Sequence, residues 1–219
     1  GMGMAPLAIY LAGEGHIVNG SDDRLSESMR RILESAGVGL SSDNEIPSES
    51  DVIVHSSAIS ITHPLMRSAV QSGMTILSRG EMLSNQAEGK KLIAVVGSHG
   101  KTTTSAMVAH ILNKREMDVG YIGGGLFNDE TMPPAWNSSS RWLIAEVDES
   151  DGSIEHFSPE FTLLTNLDWD HTEHYPRKTD LFNAFRRLFN RTRTRVLLPY
   201  QQIHELVDLH PEKGGPDVS

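Results

Sequence analysis

The stretch from Val95 to Thr104 constrains the fold more than any other part of this chain, because three structural signals follow one another in it. The apolar run 92–96 predicts a buried strand, Gly-Ser-His-Gly predicts a loop, and the pattern over 102–112 predicts a helix. This order of elements favours the binding of an anion, because the backbone N–H groups of the loop and the positive end of the helix dipole both point towards the bound anion. The stretch therefore predicts a phosphate-binding site.

Two residues directly after the loop glycines make this prediction more specific. Lys101 is expected to contact the outer phosphates of a nucleotide, and the hydroxyl of Thr102 is expected to bind Mg²⁺. Val95 stands where the longer motif has its first glycine, so the loop is a shortened G-x-x-G-K-T variant. An ordinary strand, turn and helix is the alternative. The predicted nucleotide-binding residues are Gly97, Ser98, Gly100, Lys101, Thr102 and Thr103.

The composition of the chain excludes several classes of function. A net charge of −10 argues against nucleic-acid binding, which requires a basic surface. The chain has no cysteine, which excludes disulfides and thiolate metal sites and is consistent with a reducing compartment. No apolar run is long enough to span a membrane, and no signal peptide is evident. We therefore expect a cytoplasmic protein without membrane insertion.

Two further predicted strands in the second half of the chain end in polar clusters. The strand over 142–145 is followed by the acidic run 146–151, and the strand over 161–166 is followed by Leu-Asp-Trp-Asp-His. Because the carboxyl ends of parallel strands lie at one edge of a sheet, both clusters are expected to meet the phosphate loop there. Together they describe an ATP site with one or two Mg²⁺ ions.

The acidic run limits what this edge of the sheet can contain. Four acids lie within 146–151, and they cannot all be buried without partners, because burying a charge is costly. The apolar strand before them places Glu146 nearest the interior, so we expect a cation beside Glu146. His171 is a less usual ligand for Mg²⁺. It either binds the metal, or it caps a turn or bonds Asp170.

The first ninety residues alternate between helix and strand patterns, as in dinucleotide-binding folds. Gly1-Met2-Gly3, a helix within 1–14 and a strand over 16–22 match the second half of that fingerprint, without its first strand. Gly3 is therefore part of either a phosphate site or a frayed terminus. Further helices are predicted over 24–37 and 64–72, a buried strand over 51–55 and another strand over 75–77.

Polar residues at two places in this half have a predicted role. Ser56 and Ser57 follow the strand over 51–55, where they form either a ligand site or a simple turn. The polar, unpatterned stretch 84–90 is a suitable domain boundary.

Several motifs, taken together, resemble those of the Mur ligases. Gly-Ser-His-Gly-Lys-Thr-Thr-Thr, Glu-Val-Asp-Glu-Ser-Asp-Gly-Ser and Thr-Asn-Leu-Asp-Trp-Asp-His are similar to the ATP-site motifs of that family. Gly-Met-Gly-Met-Ala, Asn-Gly-Ser-Asp, Val-His-Ser-Ser-Ala-Ile and Ser-Arg-Gly-Glu-Met-Leu are similar to its UDP-sugar domain. The resemblance extends to about residue 190.

The resemblance implies an α/β fold with two domains. Residues 1–88 would form a Rossmann-like UDP-sugar domain without its first strand, and its sheet would then have a gap between two unpaired edges. Residues 89–219 would form a truncated P-loop-type ATP-binding domain with a parallel sheet. The C-terminal ligase domain of the family would be absent, so we expect the isolated chain to be inactive.

The resemblance also implies an activity: ATP-dependent ligation with Mg²⁺, in which L-alanine is joined to UDP-N-acetylmuramate through an acyl phosphate. The branch that attaches a murein tripeptide is the alternative, as is a non-catalytic nucleotide-binding fragment. By the same resemblance, the catalytic residues would be Lys101, His99 and Asn166, the metal ligands Thr102, Glu146 and His171, and the substrate-binding residues Gly3, Ser56, Ser57 and Arg79.

Overall fold

The computed structural model describes residues 3–22, 24–41, 46–127, 132–169 and 174–207, with side chains up to residue 203. The chain divides into two compact units. The first contains Gly1–Asn85 and Ile122–Asn137, and the second contains Gln86–Tyr121 and Ser138–Ser219. No sequence pattern had indicated that residues 122–137 cluster with the N-terminal part. The predicted domain boundary after residue 88 stays a prediction.

The first unit contains four helices and five short strands among its described residues. The helices are α1 (Met4–Gly13), α2 (Glu27–Ser35), α3 (Pro64–Gln71) and α4 (Arg79–Ala87). The strands are β1 (Asn19–Gly20), β2 (Gly39–Leu40), β3 (Val52–His55), β4 (Thr75–Ser78) and β7 (Ala135–Trp136). The pairs β1–β2 and β3–β4 are parallel and form two separate sheets. The sequence predicted a sheet with a gap, and such a sheet would consist of two separate pairs of strands.

The structure corrects one prediction in this unit. The strand over 51–55 was predicted to be buried, but Val52 is 37% exposed. In the described part of the chain, β3 pairs with β4 in a sheet of only two strands, which leaves less cover than a full sheet would. The polar stretch 84–90 begins inside α4, which continues to Ala87. The division between the two units falls within this stretch, between Asn85 and Gln86.

The second unit contains a sheet with helices. Its strands are β5 (Lys91–Val96), β6 (Gly120–Ile122), β8 (Trp142–Glu146), β9 (Phe161–Leu164) and β10 (Arg195–Leu197). They lie in the order β10-β9-β5-β8-β6, and the pairs β10–β9, β9–β5 and β5–β8 are parallel. The helices are α5 (Lys101–Lys114), a short 3₁₀ helix (Ser153–His156), α6 (Lys178–Arg191) and α7 (Tyr200–Val207). The predicted α/β class with a parallel sheet is confirmed.

Strand β5 lies between β8 and β9, and its burial explains its sequence. Ala94, Val95 and Val96 are 0% exposed, as expected for a strand covered on both faces of a parallel sheet. On α6, one apolar face is buried and contains Leu181, Phe182, Phe185 and Leu188. Among the described helices, none combines the length and the apolar character needed to cross a membrane.

Candidate functional site

The register of the sheet brings the ends of three strands to the same edge. Val95 of β5 pairs with Glu146, the last residue of β8, and Val96 pairs with Leu164, the last residue of β9. The phosphate loop, the acidic run and the polar segment after β9 therefore begin at the same level of the sheet. This confirms the expectation that the carboxyl ends of these strands converge.

The loop between β5 and α5 depends on two glycines with positive φ. Gly97 has φ +127°, and Gly100, the residue before α5, has φ +80°. A Cβ atom added to Gly97 would lie 2.3 Å from Thr165 Oγ1 and 2.6 Å from the carbonyl oxygen of Asn166. Only glycine fits this close approach of two backbones.

Side chains after β9 hold the loop in place. The Asn166 amide accepts a hydrogen bond from His99 N–H at 3.0 Å and donates one to the His99 carbonyl at 2.7 Å. Ser98 Oγ donates to the Asp168 carbonyl at 2.7 Å and accepts from Asp168 N–H at 3.0 Å. The side chain of Asn166, which the family resemblance predicts to be catalytic, thus binds both the N–H and the carbonyl group of His99. Its catalytic role stays a prediction.

These contacts change which groups of the loop are suited to bind phosphate. The N–H groups of Ser98 and His99 donate hydrogen bonds to Asn166. They therefore do not point at an anion, as the N–H groups of a glycine loop without such acceptors would. The first turn of α5 begins at Lys101, and helix starts carry N–H groups without intrahelical acceptors. Thr103, in that turn, is exposed. The start of α5 is therefore the part of the site suited to an anion.

The hydroxyl and the carboxylate predicted to bind a metal lie together. Thr102 Oγ1 donates a hydrogen bond to Glu146 Oε2 at 2.7 Å. Both are hard oxygen donors of the kind that Mg²⁺ prefers, and nucleotide phosphates can complete its coordination. His171 and Asp170 lie outside the described residues. Within the described ranges, no three His, Cys, Asp or Glu side chains are close enough to hold a metal ion.

Lys101 binds Glu149, an acid for which the sequence indicated no individual role. Its Nζ donates to Glu149 Oε1 at 3.3 Å and Oε2 at 3.1 Å, and it lies 3.5 Å from Asp148 Oδ1. The Glu149 side chain is 0% exposed, whereas Glu146 is half-buried. The expectation that Glu146 is the most interior acid of the run was therefore wrong.

The loop after β8 explains why Glu149 is the buried acid. Ser150 N–H donates to Asp148 Oδ1, which turns the chain, and Gly152 N–H donates to the Glu149 carbonyl at 3.1 Å. The Tyr175 hydroxyl donates to the same carbonyl at 3.0 Å. One sequence signal for this contact existed: Lys101 and the acidic run 146–151 both follow strands that end at one edge of the sheet, where opposite charges can pair.

The charges of this pair determine how its members ionise. Burial acts to lower the pKa of Lys101, but the negative charges of Glu149 and Asp148 outweigh it and raise that pKa. Burial raises the pKa of Glu149, and the charge of Lys101 offsets part of this effect. Because Nζ lies within hydrogen-bond distance of both carboxylate oxygens, the geometry supports the ionised pair. Lys101 therefore offers a positive charge at the start of α5.

In the first unit, three of the four predicted substrate-binding residues lie at one sheet edge. His55 of β3 pairs with Ser78 of β4, so Ser56 and Arg79 follow paired positions. Arg79 Nε donates to the Gly3 carbonyl at 2.9 Å, and a Cβ added to Gly3 would lie 3.2 Å from that nitrogen. Ser57 is exposed in the turn after β3. Their substrate-binding role stays a prediction.

His99, the remaining predicted catalytic residue, points largely to solvent. Its side chain is 66% exposed, and Nε2 lies 4.0 Å from Asp168 Oδ2. An exposed pair at this distance contributes little to stability. Its role in catalysis stays a prediction.

Comparison with known proteins assigns both parts of the chain to the same family. The model of the Mur ligase family catalytic domain matches residues 1–91, and that of the Mur ligase middle domain matches residues 95–202. A UDP-N-acetylmuramate--L-alanine ligase of Gloeobacter violaceus is 37% identical over 198 residues, covering 90% of this chain and 43% of the relative. One of Pelagibacter ubique is 35% identical over 192 residues, covering 87% and 41%.

Two solved structures are similar over nearly the whole chain. A UDP-N-acetylmuramate-alanine ligase from Thermotoga maritima superposes with a TM-score of 0.84 at 25% identity, covering 95% of this chain and 49% of that one. A UDP-N-acetylmuramate:L-alanyl-gamma-D-glutamyl-meso-diaminopimelate ligase from Neisseria meningitides has a TM-score of 0.85 at 22% identity, covering 100% and 74%. This chain spans less than half the length of the curated relatives described above. Since the two family matches span nearly all of it, the chain belongs to the Mur ligase family.

Proposed function

We propose that this chain carries the ATP-binding part of an amide ligase that joins L-alanine to UDP-N-acetylmuramate. The observation that carries the proposal is the convergence of Lys101, Thr102 and Glu146 at the ends of β5 and β8. A cation, a hydroxyl and a carboxylate at a helix start are the groups that ATP-dependent phosphoryl transfer requires. The names of the curated relatives support L-alanine and UDP-N-acetylmuramate as the substrates.

Two transfers make up the proposed reaction. The carboxylate oxygen of UDP-N-acetylmuramate attacks the γ-phosphorus of ATP, ADP leaves, and an acyl phosphate forms. The amino nitrogen of L-alanine then attacks the acyl carbon, phosphate leaves with the carbon–oxygen electron pair, and the amine loses a proton. Lys101 would stabilise the negative charge on the phosphoryl oxygens during the first transfer.

Thr102 and Glu146 would hold one Mg²⁺ ion, and His171 stays a proposed ligand of a second. When bound, Mg²⁺ neutralises charge on the phosphates. The contacts of Asn166 would keep the loop, and hence Lys101, in a fixed position relative to β9. We also propose a cytoplasmic location, where ATP is available and where a chain without cysteine needs no oxidising environment.

A ligase that attaches a murein peptide is the second candidate. The solved structure from Neisseria meningitides is that of a protein named as such a ligase, and its fold is the same. At 22% identity, that similarity concerns the fold alone. The two candidates differ only in the amino compound that attacks the acyl phosphate, so one assay can compare them.

The test is phosphate release by a fusion in which this chain is followed by the C-terminal part of the Gloeobacter violaceus relative. With ATP, Mg²⁺ and UDP-N-acetylmuramate, we expect release that depends on L-alanine, and none in Lys101→Ala. Dependence on the tripeptide instead of L-alanine would establish the second candidate. A folded fusion that releases no phosphate with either amino compound contradicts both, and so does undiminished turnover by Lys101→Ala.

A further inference from the structure

Lys101 lies against two consecutive carboxylates that differ in exposure. Its Nζ donates hydrogen bonds to both oxygens of Glu149, which is 0% exposed. Nζ also lies 3.5 Å from Asp148 Oδ1, and that side chain is 37% exposed. One ammonium is therefore next to two carboxylates, of which one is fully buried and the other is accessible to solvent.

The contacts of the two acids show which one a ligand would meet. An ammonium has three N–H donors, and the two oxygens of Glu149 lie closer to it than Asp148 does. The partly exposed Asp148 carboxylate is held by Ser150 N–H, which donates to Oδ1 at 3.1 Å. An anion that approaches Lys101 from solvent therefore meets Asp148 first, because Glu149 has no accessible surface.

We propose that Asp148 competes with phosphate for Lys101, whereas Glu149 fixes the position of the lysine. The inference rests on the proposed function, because it takes Lys101 to bind nucleotide phosphates. A phosphate oxygen must displace Asp148 from the ammonium and must overcome its negative charge. A phosphate chain whose charge is partly neutralised by a metal ion is repelled less. Asp148 therefore selects metal-complexed nucleotide over free polyphosphate.

The test compares affinities for inorganic tripolyphosphate, measured by titration calorimetry with a chelator present, so that no metal bridges the ligand and the protein. Asp148→Asn keeps the shape of the side chain and removes its charge. We expect its affinity to be about two- to tenfold higher than that of the wild type, as for the loss of one partly screened repulsion. The gain for Mg²⁺-ATP should be smaller.

A matched control separates this effect from that of net charge. Asp180, at the start of α6, is paired with Arg177. Asp180→Asn changes the net charge by the same amount as Asp148→Asn and should leave the tripolyphosphate affinity at the wild-type value. If Asp148 only stabilised the loop, Asp148→Asn would bind tripolyphosphate more weakly than the wild type, because damage to the loop does not improve binding.

The role of Glu149 has a separate readout. Glu149→Gln would leave the Lys101 charge buried without its closest counter-charge, so the melting temperature should fall by more than about 5 °C. Asp148→Asn should melt within about 2 °C of the wild type, because the carboxylate it loses is partly solvated. Equal melting temperatures for the wild type and Glu149→Gln would overturn the anchoring role.

Unchanged or weaker tripolyphosphate binding by Asp148→Asn overturns the proposed competition, and so does an equal gain in Asp180→Asn. A wild-type chain that binds neither Mg²⁺-ATP nor tripolyphosphate would instead contradict the proposed function. If the wild type binds Mg²⁺-ATP and Asp148→Asn brings no gain with tripolyphosphate, only the role of Asp148 is refuted.

Discussion

Replacing Gly97 by alanine should destabilise the second unit far more than replacing Gly100, although both glycines have positive φ. For a residue with a Cβ atom, positive φ costs about 1–2 kcal/mol at either position. At Gly100, the atom nearest to an added Cβ is Thr165 Cβ at 4.0 Å, which is ordinary contact. The unfolding free energy of Gly100→Ala should therefore fall by about 1–2 kcal/mol.

At Gly97 the added Cβ atom would meet backbone. The Asn166 carbonyl oxygen lies 2.6 Å from the Cβ position, and Thr165 Oγ1 lies 2.3 Å from it. Moving them apart breaks two or three of the hydrogen bonds that hold the loop, at about 1 kcal/mol each. With the cost of positive φ, the loss becomes about 3–5 kcal/mol, a large part of the 5–15 kcal/mol typical of a domain.

Urea unfolding followed by circular dichroism measures both losses on the same chain. Equal losses for Gly97→Ala and Gly100→Ala would refute the reasoning, because they would mean that the loop does not approach residues 165 and 166 closely. A Gly97→Ala variant as stable as the wild type would refute it more strongly.

Two other predictions concern stability. Glu116 has φ +56° and follows Arg115, the C-cap residue of α5. Met117 N–H donates to the Leu112 carbonyl and Glu116 N–H to the Asn113 carbonyl, a helix end that favours glycine at position 116. Glu116→Gly should therefore raise the unfolding free energy by about 0.5–1 kcal/mol, while Glu116→Ala should not. The second concerns Glu155. Burial acts to raise the pKa of its carboxyl, but hydrogen bonds and charge from Arg187 and Arg191 together outweigh it and lower that pKa below its ordinary value of 4.5. A lowered pKa means that the wild type loses this stabilisation as the pH falls below about 4.5, so the unfolding free energy of Glu155→Gln should fall less steeply with acid; parallel curves would contradict this.

The core of the candidate site could be predicted because its signals are local. The strand before Gly97, the helix after Gly100 and the Lys-Thr pair are adjacent in sequence, and their order alone indicates a phosphate site. The pairing of Thr102 with Glu146 follows from one further rule, that parallel strands end at a common edge.

The rest depends on tertiary contacts that no local pattern encodes. Glu149 was missed because its burial results from a turn stabilised by Tyr175, which is distant in sequence. The bond pattern of Asn166 was missed because it requires the register between β5 and β9. Strand β7 has no sequence signal, since two residues within a polar stretch carry no strand periodicity.

The most direct test of the central claim is the affinity of the chain for Mg²⁺-ATP with and without the Lys101 charge. Lys101→Met alone would leave Glu149 buried without its counter-charge, so the double variant Lys101→Met/Glu149→Gln is compared with the wild type. We predict binding by the wild type and an affinity about ten- to hundredfold lower in the double variant, as expected for the loss of a charge-assisted hydrogen bond. A wild type that does not bind Mg²⁺-ATP, or a folded double variant that binds equally well, would contradict the account.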